Sequence, residues 1–97
     1  MAANRMLTAV IKRRTISGTA SANDQMMISF TDGSKMMIKT AGLTNIGATG
    51  GTLEKVRQNG EELDLDLTDG SALTIHMAGS TSSVILRDKA GKLEYAD

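Results

Sequence analysis

The sequence contains no cysteine, no proline and no tryptophan, and it has a single phenylalanine, tyrosine and histidine. Without cysteine there are no disulfides and no thiolate metal sites, which suits a reducing compartment. Without proline, nothing in the chain forces a helix or strand to break. The two aromatic side chains, Phe30 and Tyr95, are too few for the stacking platforms on which small barrels hold single-stranded nucleic acid. Net charge is zero, so the basic residues Arg5, Lys12, Arg13, Arg14, Lys35 and Lys39 do not make nucleic acid an expected partner. Nothing approaches the run of about 20 apolar residues that spans a membrane. The short apolar stretch near the N-terminus runs into Lys12-Arg13-Arg14 and does not have the form of a signal peptide. The expected location is cytoplasmic, with no membrane partner.

Catalytic and metal chemistry is equally thin. His76 is the only histidine; no nucleophile or second acid–base group converges on it by sequence logic, and it reads as part of an exposed polar row. Glu62, Asp64 and Asp66 alternate along one strand face, where side chains two apart diverge instead of converging on a cation. Asp32-Gly33 and Asp69-Gly70 lack the further ligands of a calcium loop, and Gly47-Ala48-Thr49-Gly50-Gly51 lacks the Gly-Lys-Ser/Thr ending of a phosphate loop. No enzyme activity and no cofactor is expected.

What the sequence does contain is a duplication. Residues 26–38, Met-Met-Ile-Ser-Phe-Thr-Asp-Gly-Ser-Lys-Met-Met-Ile, lie over residues 63–75, Leu-Asp-Leu-Asp-Leu-Thr-Asp-Gly-Ser-Ala-Leu-Thr-Ile, at an offset of 37. Apolar residues alternate with others in both copies, the period of a half-buried strand. Thr-Asp-Gly-Ser stands between the two runs each time and marks a hairpin. A two-residue Asp-Gly loop would set Phe30 against Lys35. A three-residue Thr-Asp-Gly loop pairs Ile28 with Met36 and Met26 with Ile38, and likewise Leu65 with Leu73 and Leu63 with Ile75. Only the second keeps each apolar row on one face, so it predicts a type I turn closed by a left-handed glycine.

Asn59-Gly60 predicts a further two-residue hairpin, with Val56 against Leu63, Lys55 opposite Asp64 and Arg57 opposite Glu62. The second unit is then a meander of strands at about 53–58, 61–68 and 71–77. By analogy the first runs at about 8–16, 25–31 and 34–40, with a loop over 17–24. Residues 3–12 also fit a short amphipathic helix through Met6, Leu7, Val10 and Ile11. Residues 42–51 read as a flexible crossing between the units. A last hairpin over 84–95 turns at Asp88-Lys89-Ala90-Gly91, with Ile85 and Tyr95 on one face and Val84 and Leu86 on the other.

The chain is expected to be one all-β domain over residues 1–97, with repeats at about 8–42 and 53–79. It would form a small barrel or two-layer sandwich from two duplicated meanders plus a C-terminal hairpin. The predicted core is Met26, Ile28, Phe30, Met36, Ile38, Val56, Leu63, Leu65, Leu67, Leu73, Ile75 and Met77. Short strands, tight turns and an optional N-terminal helix resemble the small-barrel class that includes SH3-like and Sm-like domains. The Arg-Gly step of the Sm signature is absent, with Leu86-Arg87-Asp88 in its place, so no functional residue is carried over.

Two features bear on function. Met27 and Met37 pair on the nominally exposed face of the first hairpin, whereas their counterparts are Asp64 and Thr74. Apolar side chains there imply a cover. Charge is also divided: residues 1–58 carry eight basic and three acidic side chains, and residues 59–97 carry three and eight. The expectation is a non-enzymatic binding or scaffold module that forms a homo-oligomer. Met27 and Met37 would make the contact, with Lys35 and Lys39 of one copy facing Glu62 and Asp66 of another. The alternatives are a barrel binding a small apolar ligand and an Sm-like or SH3-like nucleic-acid module.

Overall fold

Alternating apolar side chains can be buried only if the strands that carry them stack against a second layer. In a computed structural model of the chain they do so as two antiparallel sheets around one core. The structure describes all residues except 1, 4, 23, 42–49, 80–82 and 97. In chain order the elements are β1 (Ala2–Ala3), α1 (Arg5–Ile11), β2 (Ile16–Ser21), β3 (Gln25–Phe30), β4 (Lys35–Lys39), β5 (Leu53–Asn59), β6 (Glu62–Leu67), β7 (Ala72–His76), β8 (Val84–Arg87) and β9 (Leu93–Ala96). One sheet has the order β2-β3-β4-β8-β9 and the other β1-β5-β6-β7, and neither closes into a barrel.

The duplication is written into the backbone. Ile16 N–H donates to Gly51 O at 2.8 Å, and its counterpart 37 residues on, Leu53 N–H, donates to Arg14 O at 2.9 Å. Thr31 to Thr15 is matched by Thr68 to Thr52, Ala41 to His76 by Ala78 to Lys39, and Thr40 to Asp24 by Met77 to Glu61. The two bridges that join the sheets, Thr15 with Thr52 and Thr40 with Met77, each pair a residue with its own counterpart. The Thr15 and Thr52 hydroxyls meet at 2.9 Å. This reciprocity is the signature of a two-fold axis between the repeats, of the kind found in an isologous interface.

Both Thr-Asp-Gly turns form as predicted. Met26 pairs with Ile38, Ile28 with Met36, Leu63 with Ile75 and Leu65 with Leu73. Gly33 and Gly70 take φ of 89° and 92°, the left-handed region that a side chain opposes. Asp32 and Asp69 hold the turns by accepting the N–H of Ser34 and Ser71 at 2.8 and 2.9 Å. The serine hydroxyls, which donate to the same carboxylates, and then these backbone bonds keep both carboxyls below the usual carboxylate range.

All twelve predicted core residues are buried, and the structure adds Leu7, Ile11, Ile16, Leu53, Val84 and Leu86. Leu7 and Ile11 lie one turn apart on α1 and face inward together. Residues 5–11 are thus helix, and the N-terminal segment as a whole seals the edge of β5. Ala2 and Ala3 pair with Gln58 and Arg57, and the Thr8 hydroxyl accepts Val56 N–H at 2.9 Å. That cover removes an open row of strand donors and acceptors.

Three expectations are corrected. The first strand of unit one is residues 16–21, not about 8–16, and the expected loop over 17–24 is mostly β2. Its partner is β3, from Ile16 opposite Phe30 to Ser21 opposite Met26. The β5–β6 loop is Gly60-Glu61, with Asn59 opposite Glu62, Arg57 opposite Asp64 and Lys55 opposite Asp66. Gly60, at φ 60°, takes the first loop position, as in a type II′ turn. The register moves by an even step, so Val56 still faces the core, now opposite Leu65. In the last hairpin a bulge at Glu94 turns Tyr95 inward opposite Leu86, leaving Ile85 on the other face opposite Ala96. The reading of 42–49 as a crossing lies outside the described residues.

Candidate functional site

A strand residue facing away from the core is ordinarily polar. On the five-stranded sheet one cross-strand row breaks that rule. Ala20 pairs with Met27, Met27 with Met37, Met37 with Ile85 and Ile85 with Ala96. Met27, Met37 and Ile85 are half-buried on the face of the sheet away from the core. They floor a cavity of about 430 Å³.

The next row supplies the rim. Lys35 lies directly opposite Arg87, and both line the cavity with Lys89. Lys89 is brought there by its turn. Asp88 Oδ1 accepts the N–H of Ala90 and of Lys92, each at 2.9 Å, and the Arg87 guanidinium donates to Gly91 O at 3.0 Å. The wall is completed where the two turns touch. A side chain on Gly33 would place its Cβ 2.7 Å from Lys89 Cβ. Gly33 is therefore required by its conformation and by this close approach.

Two carboxylates of the adjoining elements, Glu94 and Asp32, face Arg14. Arg14 makes a two-pronged contact with Glu94 at 2.7 and 3.0 Å and lies 3.7 Å from Asp32. Asp88 lines the cavity but holds its own turn amides. Among the described residues, none of Lys35, Arg87 and Lys89 has a carboxylate within 4.0 Å.

The equivalent face of the other sheet is arranged oppositely. Arg57 grips Asp66 through Nε and an Nη, both at 2.7 Å, and lies 3.8 Å from Asp64. Thr74 Oγ1 donates to Asp64 at 2.7 Å. The Arg57 contact holds the Asp66 carboxyl below its ordinary range. His76 is exposed, opposite Glu62. Among the described residues no group of three histidine, aspartate or glutamate side chains is placed to hold a metal ion.

Of the residues singled out in the sequence, the structure brings Met27, Met37 and Lys35 together. Lys39 lies at the end of β4, opposite Gln25, and is not part of the cavity lining. Glu62 and Asp66 belong to the other sheet, and Asp66 is already paired. Ile85, Arg87 and Lys89 were not anticipated as site residues. Their signal, an apolar residue followed by two cations at the final turn, acquires meaning only once β8 lies beside β4. Compared with protein-family models, with curated proteins and with solved structures, the chain shows no match.

Proposed function

We propose that this protein is a non-enzymatic binding module that holds a small molecule with an apolar body on the outer face of its five-stranded sheet. The observation that carries the reading is the cavity of about 430 Å³ floored by Met27, Met37 and Ile85. Its size falls within the usual range for small-ligand pockets of roughly 300–1,000 Å³. Methionine suits such a floor because its unbranched side chain adapts to the shape above it. The fold itself does not need apolar residues there, since the equivalent positions are Asp64 and Thr74.

A second copy of the chain as the cover is the other reading. What favours it is the length of the apolar row, which continues past the cavity to Ala20 and Ala96. Against the expected charge contact, Asp66 is already neutralised by Arg57.

The test is titration with a neutral solvatochromic dye, alongside the variant Met27→Asp/Met37→Thr, which installs the side chains of the other sheet. Loss of at least about tenfold in affinity is expected, because a charge replaces apolar floor. Equal binding by both proteins would remove the ligand reading. Light scattering reports on the alternative: a mass of 10.2 kDa in the wild type excludes self-association. An oligomer that the double variant dissociates would favour it.

A further inference from the structure

Among the described residues, the cations at the rim of the cavity have no carboxylate within 4.0 Å. Lys35 and Arg87 are direct cross-strand partners, and like charges in that position repel. Lys89 adds a third cation at the same rim. Asp88, a carboxylate in the lining, accepts two backbone N–H groups from its own turn. The Arg87 guanidinium spends one donation on Gly91 O, and a guanidinium has five N–H donors. Apolar floor and cationic rim therefore lie side by side in one concavity.

We infer that the ligand is a free amphiphilic carboxylate, with its chain or ring on Met27, Met37 and Ile85 and its carboxylate among Lys35, Arg87 and Lys89. This rests on the ligand reading above and specifies its class. The two components fit the two halves of the site: the apolar body removes methionine and isoleucine surface from water, and the carboxylate relieves the repulsion between Lys35 and Arg87 while accepting charge-assisted hydrogen bonds. Met27, Met37 and Ile85 are half-buried whereas Lys35, Arg87 and Lys89 are exposed, so a soluble molecule in the cavity can reach both.

The experiment is isothermal titration of the full chain with decanoate, decanol and decyltrimethylammonium, at low and high salt. Wild-type protein is compared with Lys35→Gln/Lys89→Gln, two exposed positions; cooperative thermal unfolding at a temperature no lower than that of the wild type checks that the hairpins are intact. Decanoate is expected to bind about tenfold or more tighter than decanol at low salt, with the advantage shrinking as salt rises. The ammonium amphiphile is expected to bind most weakly. In the double variant, which keeps Arg87, the advantage of decanoate over decanol should shrink by at least about threefold. Equal binding of decanoate and decanol by the wild type would overturn the carboxylate inference and leave the ligand reading standing. An undiminished advantage of decanoate in the variant would likewise overturn it. Failure of all three probes to bind would remove both.

Discussion

Ala20, Met27 and Met37 in one sheet occupy the positions that Arg57, Asp64 and Thr74 occupy in the other, each pair separated by 37 residues. The turn and inter-sheet backbone bonds correspond, and the inward residues of β3 and β4 are apolar like those of β6 and β7. The outward residues have diverged, and so have two buried or inward pairs, Thr19 with Val56 and Thr40 with Met77. One face neutralises itself: Arg57 is tied to Asp66 and Asp64, and Thr74 caps Asp64, which is only 5% exposed. The other face keeps an apolar row, and among the described residues its cations Lys35, Arg87 and Lys89 have no carboxylate within 4.0 Å. A two-fold fold constrains what points to its core, because both halves fill the same interior. It leaves the outer faces free to differ, and a binding surface can develop on one without disturbing the other.

The largest test of the comparison probes its shared part. Ile38 and Ile75 are equivalent and both fully buried. Truncation of either to alanine should cost about 2–5 kcal/mol by removing contacts that the surroundings cannot replace. Urea unfolding of the two variants should show similar losses. A near-neutral result at one of them would mean that the halves do not carry the core equally.

A second test separates the two turns. Gly70→Ala should cost about 1–2 kcal/mol, the penalty of a side chain in the left-handed region; its Cβ would meet nothing within 4 Å. Gly33→Ala carries the same penalty and also drives a Cβ to 2.7 Å from Lys89. The loss at Gly33 should exceed that at Gly70, and ligand affinity should fall with it because Lys89 is displaced. Equal losses would show that the contact between the turns is slack.

Removing one cation from each face should have opposite signs. Lys35→Gln relieves the repulsion with Arg87 and should raise stability slightly, by up to about 0.5 kcal/mol at low salt. Arg57→Gln leaves Asp64 and Asp66 without their cation and should lower it. Thermal melts at low and high salt read both; stabilisation by both changes would contradict the division drawn between the faces.

The smallest effect is a pH dependence. Asp66 has its folded-state pKa depressed, chiefly by the Arg57 hydrogen bond. Its stabilisation is therefore present above the unfolded value of about 3.9 and is lost as pH falls through the folded value. Asp66→Asn should be less stable than wild type at neutral pH, and the gap should close on acidification below about pH 4. A gap that persists unchanged at the acid end would mean that packing, not charge, holds the pair.

Much of this fold is legible along the chain because parity is a strict constraint. One face of each strand is buried, so only one loop length at Thr31-Asp32-Gly33 and Thr68-Asp69-Gly70 keeps both apolar rows inside. The elements that escape this reasoning carry little pattern. β2 has one large apolar residue, Ile16, followed by Ser17, Gly18, Thr19, Ala20 and Ser21; it is a strand because β3 offers it a ladder. The β5–β6 offset turned on whether Gly60 is the second or the first loop residue, a choice that leaves the core unchanged. Tyr95 faces inward because of one bulge residue, Glu94, held in place by Arg14.

For the site, comparison of the repeats exposed Met27 and Met37 as residues the fold does not require. The cavity itself comes from long-range pairing of β8 with β4, which no local pattern encodes. The sequence by itself determined the duplication, the registers of the two Thr-Asp-Gly hairpins and their inward rows, because alternation and turn chemistry are local. Only the tertiary structure decided which strands became neighbours. That choice placed Ile85 beside Met37, set Arg87 against Lys35 and drew Asp66 to Arg57, because side chains distant in sequence find their charge and apolar partners only after the sheets assemble.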